Sequence, residues 1–262
     1  MRNIIFIILF FPVFSFGQAD SKKDNKISIG TIDMIHSTLL HEEREVLVYV
    51  PNSSNQNGND QTRYPVLYLL DGYSFFHSFT GMVEYLTAIG KMPEMIVVAV
   101  VNTDRVRDLS PTHSISWSDG EQDSAHLITS GGGEKFISFI QKELIPYIDS
   151  KYKTQPYRMF IGHSLGGLTV LNALINHPSL FNSYVAIDPS IWWDNHLVMK
   201  QAATLLKQNN YTGKELFFAS ANTMNKGMDT SNVKKDTTIG NIHVRDNLQF
   251  REILNNNTSN NL

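Results

Sequence analysis

Residues 158–175 read Arg-Met-Phe-Ile-Gly-His-Ser-Leu-Gly-Gly-Leu-Thr-Val-Leu-Asn-Ala-Leu-Ile. A short apolar run, Met159 to Ile161, meets Gly162-His163-Ser164-Leu165-Gly166. An apolar pattern at helical spacing, with Leu168, Leu171, Leu174 and Ile175, begins at once. The stretch predicts a strand, a sharp turn and a helix, and the Gly-x-Ser-x-Gly spacing inside it is that of a nucleophile elbow. Glycine at 162 and 166 meets the steric demand, because only a residue without Cβ lets the strand and helix backbones come so close. Ser164 would then project its hydroxyl above the sheet at a helix N-terminus, where free N–H groups favour a developing negative charge. The Leu165 amide becomes one half of an oxyanion hole. Gly-x-Ser-x-Gly also arises by chance in chains of this length; the flanking strand, the helix and the further Gly167 argue for the elbow.

Upstream, residues 64–70 (Tyr-Pro-Val-Leu-Tyr-Leu-Leu) form a continuous apolar run ending at Asp71-Gly72, as in a strand buried on both faces of a parallel sheet. With an elbow downstream, the loop after this strand would supply the second oxyanion donor, the amide of Gly72 or Tyr73; the alternative is an ordinary Asp-Gly turn. Residues 75–89 read as a helix and 94–101 as another buried strand, followed by the charged loop 102–111. Loops at the carboxyl ends of such strands carry ligands, so Arg105 or Arg107 would hold a carboxylate or phenolate of a substrate, unless an Arg–Asp ion-pair knot merely fixes the loop. Residues 112–130 are polar and irregular, a rim, and 134–151 carry one helical apolar pattern.

Beyond the elbow, 183–187 is the next strand, and it opens into Trp192-Trp193, two of the chain's three tryptophans. An aromatic wall beside the serine is expected there, or else a cover for the core. A helix over 197–208 and a strand over 215–221 follow. At the other end of the chain, 27–40 and 45–50 read as an antiparallel pair, and 52–62 as a surface loop with a formal glycosylation sequon at Asn52.

With 262 residues and 42% apolar content the chain can bury one large core. A net charge of −3 gives no reason to expect nucleic acid or an anionic membrane as partner. Residues 1–17 carry one basic residue, an uncharged apolar block interrupted by Pro12, and then the small residues Ser15 and Gly17. This is the layout of a signal peptide cleaved after about Gly17, with an uncleaved anchor as the alternative. Residues 18–26 read as a leader and 27–262 as the folded domain. The chain has no cysteine, so disulfides, thiolate ligands and a lipid-modified cysteine are excluded. The expectation is an exported chain, periplasmic or secreted, without a membrane span after cleavage. No metal and no organic cofactor is implied.

A serine of this kind needs an acid and then a histidine later in the chain. Within 222–229 the only carboxylate is Asp229; a Ser–His dyad is the other arrangement the residues allow. The histidine belongs after one more strand, yet 241–254 reads as a helix and the sequence stops at Leu262. His243, in the first turn of that helix, is expected to face solvent, and neither His163 at the elbow's variable position nor His196 is placed to reach the serine. The expectation is a domain incomplete at its C-terminus.

Residues 64–72, 102–111, 131–136 with 143–149, 162–167 and 188–193, in that order, resemble the esterase family of α/β-hydrolases. That family includes siderophore (enterobactin-type) esterases, feruloyl esterases and S-formylglutathione hydrolase, and its siderophore-esterase-like branch is closest in these motifs. The resemblance covers about 28–255. It implies an α/β-hydrolase fold, a mostly parallel sheet with helices on both faces. It also implies Ser164 as nucleophile, Leu165 with the segment after Asp71 as oxyanion hole, and a histidine in an Asp-His-Gly type segment after the last helix. The expected substrate is a small-molecule or glycan-linked ester; acyl transfer and a non-catalytic binding role are the rival readings.

Overall fold

The computed structural model describes residues 26–51, 61–117 and 120–257. Residues 1–17, expected to be a signal peptide, most of the expected leader and the sequon at Asn52 lie outside the described residues. Seven strands form one sheet: β1 (Thr31–Ser37), β2 (Glu42–Tyr49), β3 (Tyr64–Leu69), β4 (Ile96–Val100), β5 (Thr154–His163), β6 (Ser183–Ile187) and β7 (Glu215–Ala219), in the order β1-β2-β4-β3-β5-β6-β7. The pairs β1–β2 and β2–β4 are antiparallel, and every pair from β4 to β7 is parallel.

The continuous apolar runs follow from burial on both faces. Val66, Tyr68 and Leu70 point into one core with Phe160 of β5, while Leu67 and Leu69 point into the other with Ile161. Helix α1 (Gly72–Ala88) covers the second face through Val83, Phe75 and Phe79. Short α2 (Arg105–Leu109) and α3 (Ser124–Leu127) lie in the segment after β4, and α4 (Gly133–Phe139), α5 (Ile145–Lys151), α6 (Leu165–Asn176) and α7 (Trp193–Gln208) supply side chains to the first core. Beyond β7 come α8 (Thr230–Val233) and α9 (Ile242–Asn257), and Phe250 of α9 packs on Phe218 at a ring separation of 5.7 Å. No helix of the described residues is long and apolar enough to cross a membrane.

The single helix expected over 134–151 is interrupted by a π-helical turn, Ile140–Leu144. Pro146 has no N–H to give the carbonyl four residues back, and the register beside it slips so that the Ile145 N–H bonds to the Ile140 carbonyl. Helix α1 starts three residues before its expected position because Asp71, at φ 57°, already turns the chain out of the strand.

Candidate active site

Ser164 sits between β5 and α6 at φ 58°, ψ −118°. A non-glycine residue there is strained, at a cost of order 1–3 kcal/mol, and such strain gathers at functional corners. The corner is held from both sides: the Ser164 N–H donates to the Ile187 carbonyl (3.0 Å) and the Ser164 carbonyl accepts from the Ser190 N–H (3.1 Å). A Cβ on Gly162 would stand 2.3 Å from the Gly166 carbonyl carbon and oxygen, and one on Gly167 would stand 3.0 Å from the Ile187 carbonyl oxygen. Gly162 and Gly167 thus let strand, helix and neighbouring loop come into contact beneath the serine, whose hydroxyl lies 3.2 Å from that of Ser190.

Leu165, Gly72 and Tyr73 open the first turns of α6 and α1. Amides in a first turn have no partner four residues back in their own helix, so they remain available to an anion. Tyr73 itself is exposed, and its hydroxyl donates to Glu45 at 2.5 Å.

Of the two arginines of the charged loop, Arg107 binds Glu42 and Asp108. Arg105 lies across the Asp71 carboxylate, with Nε 2.7 Å from Oδ1 and Nη2 3.0 Å from Oδ2. Of the two readings of this loop, the geometry therefore matches the Arg–Asp knot.

The tryptophan pair divides. Trp193 is wholly buried, its indole N–H donating to the Thr112 carbonyl at 3.1 Å, so it is a core residue and not a substrate wall. Trp192 lines a cavity of about 610 Å³ and faces Trp117 at 6.2 Å between ring centres. His113, Asp194 and His196 lie in the same wall. Asp194, Asn195 and His196 are consecutive left-handed residues (φ 45°, 53° and 63°), pinned where Asp194 accepts from Thr112 (2.7 Å) and His196 meets the buried Asp246 (2.8 Å). Trp117 lay in the irregular rim, where no periodicity could single it out.

Asp229 is not joined to Ser164 or to a histidine by any hydrogen bond or ion pair among the described residues. Its Oδ1 caps α8, accepting the Ser231 and Asn232 amides at 2.9 and 2.8 Å. The carboxylate that does meet an imidazole is Asp188, directly after β6. Its Oδ1 lies 3.0 Å from His243 Nε2 and accepts the Ala221 amide at 2.9 Å. Burial pushes the Asp188 carboxyl up, but the His243 hydrogen bond, the Ala221 amide and the charges of His243 and His163 outweigh it and hold the group below its usual range. His243 therefore faces this carboxylate, with a quarter of its side chain exposed, and does not point into solvent as expected. Asp188 follows Ile187, whose carbonyl holds the Ser164 amide, so the pair sits on the serine's own end of the sheet. His163, by contrast, packs edge-on against Phe75 with ring centres 5.8 Å apart.

A family model described as "Putative esterase" matches residues 37–251. The chain belongs to that esterase family. This esterase-family chain is 34% identical over 164 residues to the ferri-bacillibactin esterase BesA of Bacillus subtilis (strain 168), a match covering 56% of each protein. It is 32% identical over 152 residues to the siderophore enterobactin esterase of Emericella nidulans, covering 52% of this chain and 49% of that protein. The matches therefore span about half the length of these curated relatives. Among solved structures, an IroE-like serine hydrolase from Shewanella oneidensis superposes with a TM-score of 0.73 at 29% identity, covering 89% of this chain and 71% of that one. The fold is that of the α/β-hydrolase-like esterases.

Proposed function

We propose that this chain hydrolyses carboxylic esters through an acyl-serine intermediate on Ser164. The observation that carries the reading is the serine's placement at φ 58° on a strand-to-helix corner, one residue before an amide that can receive charge. Its hydroxyl oxygen attacks the ester carbonyl carbon and loses its proton to a base. The carbonyl oxygen becomes an oxyanion held by the Leu165 amide and by the amide of Gly72 or Tyr73. The alcohol departs with a proton, and water then cleaves the acyl-serine by the same steps in reverse order. The pairing of His243 with Asp188 favours His243 as the base in this chain, since the carboxylate fixes the imidazole and stabilises its charged form. A histidine supplied from outside the given sequence, as the family resemblance implies, is the competing source.

The substrate class we propose is the siderophore-type ester. It is motivated by the names of the two curated relatives and by the Trp117–Trp192 cavity, which suits a flat aromatic arm. Export before use is motivated by residues 1–17.

The test is turnover of p-nitrophenyl acetate and of a catecholate trilactone by the purified chain. Ser164→Ala should lower kcat by about 10³-fold or more; a variant as active as the parent would refute the reading. Accumulation of a new ester when a simple alcohol is added would favour acyl transfer over hydrolysis.

A further inference from the structure

The two corners that aim the oxyanion amides belong to different loops. Asp71 turns β3 into α1 at φ 57°, ψ 52°, and Ser164 turns β5 into α6 at φ 58°, ψ −118°. The left-handed turn at Asp71 is one aspartate tolerates, whereas the Ser164 conformation is strained, and the spacing between the two sets of amides depends on what fixes one corner against the other. The β3–β5 ladder joins the strands up to the bond from the Leu70 N–H to the Ile161 carbonyl (3.0 Å), and beyond it one ion pair ties the two corners together. The Asp71 carboxylate, only 5% exposed, receives Arg105 Nε at 2.7 Å and Nη2 at 3.0 Å, and its Oδ1 also accepts Asn102 Nδ2 at 2.5 Å. The same Arg105 Nη2 reaches the carbonyl of His163, the residue before Ser164, at 3.4 Å. Asp71 Oδ2 in turn lies 3.4 Å from where a Cβ of Gly166 would stand, so the carboxylate rests against the elbow. The loops after β3, β4 and β5 therefore converge on one guanidinium and one carboxylate.

We propose that Arg105 is a positioning residue for ester hydrolysis: by gripping Asp71 and the His163 carbonyl together, it holds the Gly72 and Tyr73 amides in register with the Leu165 amide. The proposal rests on the reading of Ser164 as nucleophile. A planar guanidinium makes the two parallel bonds to Asp71 and the further bond to His163 from one rigid fork, which a lysine ammonium cannot reproduce. Loss of the fork releases the oxyanion loop without removing any group that touches the ester. Loss of one aligned oxyanion donor lowers kcat by about 10²–10³-fold, so Arg105→Ala should reduce kcat by about 100-fold while KM moves less than about threefold. Arg105→Lys should fall between that variant and the parent. An arginine that gripped the substrate itself would raise KM instead.

The experiment measures kcat and KM on p-nitrophenyl acetate for the full chain, Arg105→Ala, Arg105→Lys and Ser164→Ala, with thermal melts of each. In parallel it measures the affinity for benzeneboronic acid, whose tetrahedral adduct with a serine hydroxyl carries an anionic oxygen and requires no turnover. The expected result is a kcat loss, boronate binding weakened about tenfold or more by Arg105→Ala, and melting close to the parent. Parent-like kcat and boronate affinity in Arg105→Ala, or a loss confined to KM, would overturn the proposal. Should the alanine variant fail to fold, parent-like kcat and boronate affinity in Arg105→Lys would overturn it equally. Ser164→Ala behaving like the parent in turnover and boronate binding would instead remove the nucleophile reading beneath it.

Discussion

Gly162 and Gly166 flank Ser164 symmetrically in sequence and unequally in space. A Cβ on Gly162 would lie 2.3 Å from backbone atoms of Gly166, whereas a Cβ on Gly166 would meet nothing closer than 3.4 Å. Gly162→Ala must push helix and strand apart, and a loss of about 3 kcal/mol together with most activity is expected. Gly166→Ala should stay within about 1 kcal/mol of the parent, since alanine also favours the helix; urea denaturation of both variants checks the contrast. Asp188 makes a different kind of prediction. Its folded-state pKa is depressed below the ordinary 3.8, so the stability it contributes is fully present above that value and disappears as pH falls through the lower, folded value. Asp188→Asn should therefore flatten the acid end of the stability–pH curve below about pH 4, while a slope unchanged from the parent would refute the assignment. The elbow was legible in the sequence because its steric demand is local, a matter of glycines two residues to either side of a serine. The Asp188–His243 pair was not, because β6 and α9 bring together residues 55 positions apart, and a histidine in a helix's first turn carries no mark of which carboxylate it will meet. Asp229 misled for the same reason: it was the one carboxylate in the expected place, and a helix cap claimed it.

At the scale of elements, β2 is pinned to the sheet's carboxyl end by Arg44. This side chain is fully buried, with Nη1 2.6 Å from Asp108 Oδ2 and Nη2 3.1 Å from the Val101 carbonyl, and its guanidinium lies 5.4 Å from the centre of the Phe136 ring. One residue thus ties β2 to the end of β4, to α2 and to α4. Arg44→Ala would leave Asp108 buried with only Arg107, itself partly exposed, beside it, and removal of one partner from a buried pair costs about 3–5 kcal/mol. Arg44→Met, which fills the space without the charge, leaves the same buried carboxylate with Arg107 alone and should also be destabilised; a double variant that also carries Asp108→Asn should recover part of the loss, read from urea midpoints. None of this was visible beforehand, since Arg44 falls in the expected turn between 27–40 and 45–50, where an arginine reads as a solvent-facing residue. The π turn beside Pro146, in contrast, could have been anticipated from a proline set within a helical apolar pattern.

Across the whole molecule, legibility followed burial on two faces. The runs at 64–70 and 94–101 could be assigned to a parallel sheet because both faces demand apolar side chains, and the structure buries Val66 to Leu70 and Ile96 to Val100 almost completely. The edge strands were read too, at 27–40 and 215–221, with ends that overran β1 and β7; an edge strand has a partner on one side only, and β1 exposes Ile32 and Met34 while β7 exposes Phe217 at 62%. The same asymmetry orders the local stabilities. Amides in β3, β4, β5 and the wholly packed α6 can exchange only when the sheet itself opens, whereas β1 and β7 are free to fray from the outside. Native-state hydrogen exchange should therefore place the slowest amides in Leu67, Val98, Phe160 and Leu171, with those of β1 and β7 faster by about 10²-fold or more. Exchange from β7 as slow as from β5 would mean that its outer edge is covered in solution, and the ranking of strands by their place in the sheet would fail.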